Sequence, residues 1–331
     1  MQVISWWKYM KHLVSIALIF VTNFALANKI DFIKTDKDVL KFFTELYKKE
    51  YADDSYVFLI GKPDPTYRDF ICDSVSLTWN VKEWQKVDFD EDNCTDLFIR
   101  VFFRNRVNDG GQFEIFTVMG NNNNTYSLQP LPEYFMPHCK IATPINISGK
   151  SLLLYRHYKT EYTIDSLSNN DTTLFQGNSI NYYEVGRTDT LIYLFGGFVE
   201  LNTKKFSPPV KSFFFQTSLC FGDCPQFQLK VSRDGSANYN AGMYSGKEGY
   251  FETTIKPQHL DQTLSLIHYL NIPDLKSNYE CLVTDLPSCT LKVYFEDGTI
   301  KELYDYGQQG TLGLVRLYKI LFALRENQEW K

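Results

Sequence analysis

The residues best suited to chemistry form one short acidic stretch. Asp88, Asp90, Asp92 and Asp96 hold its positions one, three, five and nine, and Cys94 holds position seven. A hard divalent cation such as Ca²⁺ requires a crowded shell of oxygen ligands, which carboxylates and a backbone carbonyl supply. The spacing therefore predicts a Ca²⁺ site with four carboxylate ligands and the carbonyl oxygen of Cys94.

Two neighbouring positions decide which kind of loop to expect. Position six needs a left-handed backbone, and Asn93 is one of the few residues besides Gly that adopt it readily. An EF-hand would place Glu at position twelve, where this chain has Ile99 inside a strand-like run. The loop is therefore not an EF-hand. The alternative to a metal site is an acidic hairpin turn whose charges only keep it soluble.

The acidic stretch resembles the calcium loop of integrin-type FG-GAP repeats, in which Asp-x-Asp-x-Asp-Gly-x-x-Asp leads directly into a strand. Here too the stretch is followed at once by a strand-like run, residues 97–101. The resemblance implies side-chain ligands from the four aspartates and a carbonyl ligand from Cys94. It covers residues 88–97 in a single copy, so it implies no propeller, and such a site serves to stiffen a loop.

The cysteines form the second candidate group. They are, in chain order, Cys72, Cys94, Cys139, Cys220, Cys224, Cys281 and Cys289. In an oxidising compartment the last four are disulfide candidates, with three possible connectivities. The first three leave one unpaired unless a bridge crosses between domains. A zinc site in the last four is the alternative, although their spacing lacks the two-residue gaps that structural zinc favours.

One cysteine pair lies in a distinctive sequence, Cys220-Phe221-Gly222-Asp223-Cys224-Pro225. Two cysteines around a Gly turn, with Pro at its end, predict a stapled entrance to a strand. A redox role is the alternative, because an accessible thiol pair can exchange, but nothing basic is adjacent in sequence.

Together with Asp234-Gly235 and Asp305-Tyr306-Gly307, this sequence resembles a bacterial family of domains of unknown function that carries a Cys-Phe-Gly-x-Cys-Pro signature. The resemblance covers about residues 207–331. It implies an exported or envelope-associated α+β module and brings no activity or catalytic residues with it.

The elements that must position these residues are mostly strands. Helix-period apolar residues predict a helix from Thr35 through Tyr47. Strand-like runs follow at 56–60, 74–79, 97–103, 113–118, 151–158 and 191–199. We therefore expect an α+β protein whose N-terminal domain, residues 28–205, is mostly antiparallel sheet with one helix.

The last third of the chain predicts a different domain. Asp-Gly turns at Asp234-Gly235 and Asp297-Gly298 each join two strand-like runs, and an amphipathic helix follows each hairpin. The first of these helices opens at Pro257. We expect a two-layer domain of two hairpins and two helices over residues 206–331. Pro208-Pro209 marks the boundary, since paired prolines cannot lie inside a sheet.

Residues 1–27 predict a Sec-type signal peptide that is cleaved after Ala27. Lys8 and Lys11 precede the apolar run 13–24, and Ala25-Leu26-Ala27 offers small residues at the cut. The run is shorter than the roughly 20 residues that a span needs, and no later run is apolar enough, so no membrane span is expected in the mature chain. The alternative is an uncleaved anchor helix. The expected location is the periplasm or outside the cell.

Charge and missing motifs restrict the function. The net charge of −5 and the lack of a basic cluster argue against nucleic acid. The chain has no Gly-x-Ser-x-Gly, His-Glu-x-x-His or phosphate-binding loop, which favours a protein that is not an enzyme. We predict a binding or interaction module whose partner is an unknown envelope or extracellular protein or a glycan. The alternatives are an envelope-polymer hydrolase and a protective partner of a secreted toxin.

Overall fold

The structure is a computed structural model that describes residues 28–61, 70–105, 111–131, 140–165, 179–204, 207–281 and 283–331. For 70–73, 105, 158–165 and 179–184 only the backbone is described. The predicted signal peptide, Cys139 and the side chain of Cys72 lie outside the described residues. The chain divides into two compact units, residues 1–63 with 83–130, and residues 64–82 with 131–331.

Strands outnumber helices, and the protein is of the α+β class. The helices of the described residues are α1 (Asp36–Tyr51), α2 (Phe70–Thr78), α3 (Pro257–Tyr269) and α4 (Leu312–Asn327). The strands are β1 (Tyr56–Leu59), β2 (Trp84–Val87), β3 (Asp96–Asn105), β4 (Gly111–Gly120), β5 (Tyr126–Pro130), β6 (Lys140–Ile147), β7 (Lys150–Asp165), β8 (Ser179–Leu194), β9 (Gly197–Glu200), β10 (Val210–Thr217), β11 (Phe227–Ser232), β12 (Ser236–Ala241), β13 (Gly249–Thr254), β14 (Asn278–Tyr279), β15 (Ser288–Phe295) and β16 (Ile300–Tyr306). Their pairing is antiparallel except between β14 and β16.

The first unit is a five-stranded sheet covered by α1. The strand order is β1-β3-β4-β5, and β2 also pairs with β3. Thr35 begins the helix as predicted, since its hydroxyl accepts from the Asp38 N–H and its own N–H donates to the Asp38 carboxylate. Phe43 and Tyr47 of α1 pack on Phe103 and Phe116 of the sheet. The acidic stretch is the connection between β2 and β3.

One predicted strand of the second unit is a helix. The run 74–79 alternates polar and apolar residues, which predicted a strand, but residues 70–78 form α2. Val75 and Trp79 lie four residues apart, one helical turn, and both pack against Ile141 of β6. In a run of six residues, the helical period cannot be distinguished from the alternation of a strand. The prediction of one helix in residues 28–205 was therefore wrong.

A second correction concerns the run 191–199. It was predicted as one strand, but it folds back on itself between β8 and β9, where Phe195 and Gly196 have φ values of 56° and 74°. Gly tolerates this left-handed backbone, whereas Phe195 must be held there by its surroundings. Strands β6, β7, β8 and β9 form a four-stranded sheet.

The C-terminal part is a seven-stranded sheet in the order β13-β12-β11-β10-β15-β16-β14. The predicted Asp-Gly turns join β11 to β12 and β15 to β16, with Gly235 and Gly298 at φ of 88° and 87°. Alternate residues of the sheet are buried with the apolar faces of α3 and α4, and the other residues form the opposite face. The outer edge at β13 pairs with the last residue, because Glu252 and Lys331 exchange backbone hydrogen bonds.

The β8–β9 turn is fixed to this helical layer by hydrogen bonds. The carbonyl oxygen of Phe195 accepts from Arg316 Nε and Nη2 at 2.8 and 2.6 Å, and from Gln262 Nε2 at 3.1 Å. The Glu200 carboxylate accepts from the N–H groups of Leu312 and Gly313 at 2.6 and 2.9 Å, at the start of α4. Residues before 206 thus belong to the same compact unit as those after it, and the domain boundary at 205/206 stays a prediction.

We predict that Arg316→Ala lowers the free energy of unfolding by about 1.5–3 kcal/mol, because it removes two charge-assisted hydrogen bonds that hold a left-handed turn. Calorimetric melting of the purified chain measures the change. The control is Lys319→Ala, which removes another cation from the same helix; because the charge of Arg316 repels it, this variant should leave the melting midpoint unchanged or slightly raised. An equal loss in both variants would contradict the role of the turn.

Candidate functional site

The acidic stretch forms a tight hairpin loop with two left-handed residues. Glu91 and Asn93 have φ values of 59° and 65°, so the conformation predicted for position six is confirmed. The Asn93 N–H donates to Asp88 Oδ2 at 3.1 Å, and the Cys94 N–H donates to Asp92 Oδ1 at 2.7 Å. These bonds curl the loop so that its first and last carboxylates approach each other.

Three of the four predicted carboxylate ligands converge. One oxygen from each of Asp88, Asp90 and Asp96 lies within 4.8 Å of the other two. Asp92 is not part of this group, because its carboxylate turns back to the backbone of Cys94. The backbone carbonyl of Cys94 has no described contact, so its role as a ligand stays a prediction.

Asp96 is the buried member of the group. It is 0% exposed. Its Oδ2 accepts from the Phe89 N–H and its Oδ1 from the Gly120 N–H, both at 2.8 Å. Burial raises its pKa to about 7, and the nearby charges of Asp90 and Asp88 add to the rise. The ionised form of Asp96 is therefore poorly compensated by the protein alone.

The other two acids have the character of cation ligands. Oδ1 of Asp88 is buried and has no hydrogen-bond partner among the described residues, an arrangement that costs free energy unless something else binds the oxygen. The pKa of Asp90 is raised, first by burial and then by the charges of Asp92 and Asp88. A buried oxygen without a donor and mutually repelling carboxylates fit a hard cation such as Ca²⁺.

The Cys94 side chain anchors the loop and is not a thiolate ligand. It is 4% exposed, and its thiol donates to Asn122 Oδ1 at 3.1 Å, on the loop after β4. Burial, with the charge of Asp92, raises its pKa to about 11, so the thiol stays protonated at neutral pH.

Residues at the start of the described chain brace the same loop. The Asn28 side chain donates to the carbonyl oxygen of Thr95 at 2.8 Å, and its backbone N–H donates to Asp31 Oδ2 at 2.7 Å. The Thr95 hydroxyl donates to the other oxygen of Asp31. Asn28 is 1% exposed, and a Cβ at Gly120 would lie 2.8 Å from its amide nitrogen. The residue thus fits closely between the loop and β4.

One of the candidate disulfides is formed. Cys220 and Cys224 are bridged, with 5.6 Å between their Cα atoms. Cys281 is a partly exposed free thiol, and Cys289 is a buried one whose pKa is raised by burial. The one metal-type cluster among the described residues contains no cysteine.

Two polar groupings had no signal in the sequence. His157 Nε2 lies 2.9 Å from Asp189 Oδ2, and only the register of β7 with β8 brings these residues together. Asp305 is 0% exposed and accepts from the N–H groups of Gln309 and Gly310. The sequence Asp305-Tyr306-Gly307 belongs to the family resemblance, but its residue types alone do not predict a buried carboxylate.

Comparison with known proteins concerns the C-terminal part. Residues 211–325 match the family model described as Domain of unknown function (DUF6438). This agrees with the predicted C-terminal domain of unknown function. No curated protein and no solved structure matches the chain significantly. No helix of the described residues is long and apolar enough to cross a membrane.

We predict that Asp96 makes the metal-free protein less stable as pH rises. A carboxyl whose folded pKa is raised holds more protons in the folded state, so stability falls between about pH 4 and pH 7. In EDTA, the melting midpoint of the wild type should therefore fall relative to that of Asp96→Asn over this window. The difference between the two proteins isolates Asp96 from other carboxylates, and a difference constant with pH would contradict the raised pKa.

Proposed function

We propose that the protein is a non-enzymatic binding module of the periplasm or cell surface, with an acidic loop that binds Ca²⁺. The observation that carries the binding role is the open face of the seven-stranded sheet. Its residues point away from α3 and α4, and those of each strand are exposed or partly exposed. Surface of this kind offers side chains for contact without enclosing a reacting centre.

The reactive side chains favour binding over catalysis. His157 and Asp189 form a close pair, but His157 is 1% exposed and stacks on Tyr155 with ring centroids 5.1 Å apart, so a substrate has no access to its ring. The thiols of Cys94 and Cys289 have raised pKa values, which leaves them protonated and poorly nucleophilic. These features support an interaction role.

Calcium would act on the loop between β2 and β3. The buried oxygen of Asp88 would coordinate the ion, and the charge of the ion would reduce the repulsion among Asp88, Asp90 and Asp96. The ionised form of Asp96 would then be stabilised, and the hairpin would be held in one conformation. The loop would stiffen the first unit, and the open face of the seven-stranded sheet would bind the partner.

Calcium titration of the mature protein by calorimetry, with thermal melts, tests this role. We expect a dissociation constant between about 1 µM and 1 mM and a raised melting midpoint. Asp88→Asn and Asp90→Asn should each weaken binding about tenfold or more, because each removes a converging charge.

The matched control for the titration is Asp92→Asn. It also removes an acid from the loop, but Asn keeps the oxygen that accepts from Cys94, so affinity should change little. Equal losses in all three variants would indicate a diffuse acidic effect and not a site. Absence of heat and of a melting shift would reduce the loop to a solvated turn.

The proposed cleavage after Ala27 would give Asn28 a role in stability. Cleavage would convert its backbone N–H into an ammonium group, and that nitrogen lies 2.7 Å from Asp31 Oδ2. The bond already has an ionised acceptor, and an ammonium donor would add a direct charge–charge attraction to it. Because Asp31 and Asn28 both bind Thr95, processing would strengthen the support of the acidic loop.

We predict that the secreted protein begins at Asn28, as intact mass and N-terminal sequencing would show. A chain with one added Met before Asn28 should melt lower, since the ammonium group would be displaced from Asp31. Asp31→Asn should lower the melting midpoint of the mature form and remove the difference between the two forms. An unchanged difference would contradict the proposed pairing.

A further inference from the structure

A continuous row of side chains crosses the open face of the seven-stranded sheet. The register of neighbouring strands places six residues in line, one from each of six strands: Tyr250, Asn240, Gln228, Gln216, Thr290 and Tyr304. With neighbouring strands about 4.8 Å apart, the row is about 24 Å long. All six side chains are exposed or partly exposed, and the terminal tyrosines are 83% and 38% exposed.

The row contains amides, hydroxyls and aromatic rings and no charged group. Gln228 donates to Gln216 Oε1 at 3.3 Å, and Asn240 donates to Gln228 Oε1 at 3.5 Å. These long bonds link the three amides and leave donors and acceptors directed at solvent. The next row on the same face is charged and partly self-paired, with Lys292 and Glu302 3.0 Å apart.

We propose that this row is a binding platform for a neutral glycan chain, a ligand class that rests on the binding role proposed above. A pyranose ring presents hydroxyls at its edge and C–H groups on its faces. The amides and Thr290 match the hydroxyls, and the exposed rings of Tyr250 and Tyr304 offer flat apolar surfaces at both ends. A long, uncharged row matches a long, uncharged polymer.

Charge and sheet edges argue against other ligands on this face. The chain carries a net charge of −5, which disfavours nucleic acid and anionic lipid. An added peptide strand would pair along an edge of the sheet and would not lie across its face, and at the β13 edge Lys331 already pairs with Glu252. A ligand that lies on the face must bind the side chains of the sheet, and the hydroxyls of a sugar chain can do so.

The first experiment titrates the mature protein with cellohexaose and, separately, with chitohexaose, by calorimetry. We expect at least one probe to bind with a dissociation constant of about 0.01–1 mM. Gln228→Ala and Tyr304→Ala should each weaken binding about tenfold, since each removes a central contact or an end platform. The control is Gln258→Ala, which removes an exposed amide from α3, on the opposite side of the sheet, and should bind as the wild type does.

A second measurement needs no variant. In wild-type protein with ¹³C-labelled tyrosine, the ring signals of Tyr250 and Tyr304 should shift on titration, while that of the buried Tyr318 should not. Failure of both probes to bind at millimolar concentration, or binding unaffected by both variants, would overturn the glycan proposal. So would a protein captured by a photo-crosslinker at position 228 in place of a glycan, although that result would support the broader binding role. The calcium measurements above remain an independent test of the acidic loop.

Discussion

The buried carboxylate of Asp96 is the constraint on which the first unit depends. It has no contact with solvent, and it ties the acidic loop to β4 through the N–H groups of Phe89 and Gly120. Removing a carboxylate from water is costly unless charge or hydrogen bonds compensate it. Two N–H groups compensate in part, and burial still raises the pKa of Asp96 to about 7. The neighbouring acids make the deficit larger, which is why a cation at this place is physically reasonable.

Two further acids of the protein also accept hydrogen bonds from backbone N–H groups, although burial raises the pKa of Glu200 as well. Asp305 of β16 accepts from two backbone N–H groups just before α4, and Glu200 of β9 accepts from two in the first turn of that helix. The start of a helix carries partial positive charge, so a carboxylate there is stabilised by the fold itself. Gly310 is required, because a Cβ would lie 2.7 Å from Asp305 Oδ2. These acids are structural, whereas Asp96 shares its site with two other carboxylates.

The sequence could predict the parts of the acidic loop that depend on neighbouring residues, but not those that depend on distant contacts. The spacing of the aspartates and the left-handed Asn93 are local properties, and local backbone rules were enough to predict the loop. That Asp92 turns away from the group was not predictable, because its carboxylate can bind either a cation or the N–H of Cys94, two residues later. The support from Asn28 spans 67 residues, which no local pattern reports.

The fold was likewise predictable where the signal lies within one element and not where distant residues decide the conformation. Asp-Gly turns and long apolar periods predicted α1, α3, α4 and the two C-terminal hairpins, because each signal lies within one element. Short runs failed where packing decides the conformation, as in residues 74–79, which alternate like a strand but begin inside α2 and pack Val75 against Ile141. The turn at Phe195 failed for a related reason. Its left-handed backbone is stabilised by Arg316, a residue more than a hundred positions later.

The row of side chains on the open face is predictable from the sequence only in part. Gln216, Gln228 and Asn240 are spaced twelve residues apart, so two regular hairpins could have aligned them from the sequence alone. The alignment with Thr290 and Tyr304 requires β10 to pair with β15, and that pairing joins two hairpins distant in sequence. Hydrophobic burial under α3 and α4 fixes this register, because a one-residue slip would turn the apolar face outward. The packing of the buried face therefore determines the chemistry of the exposed one.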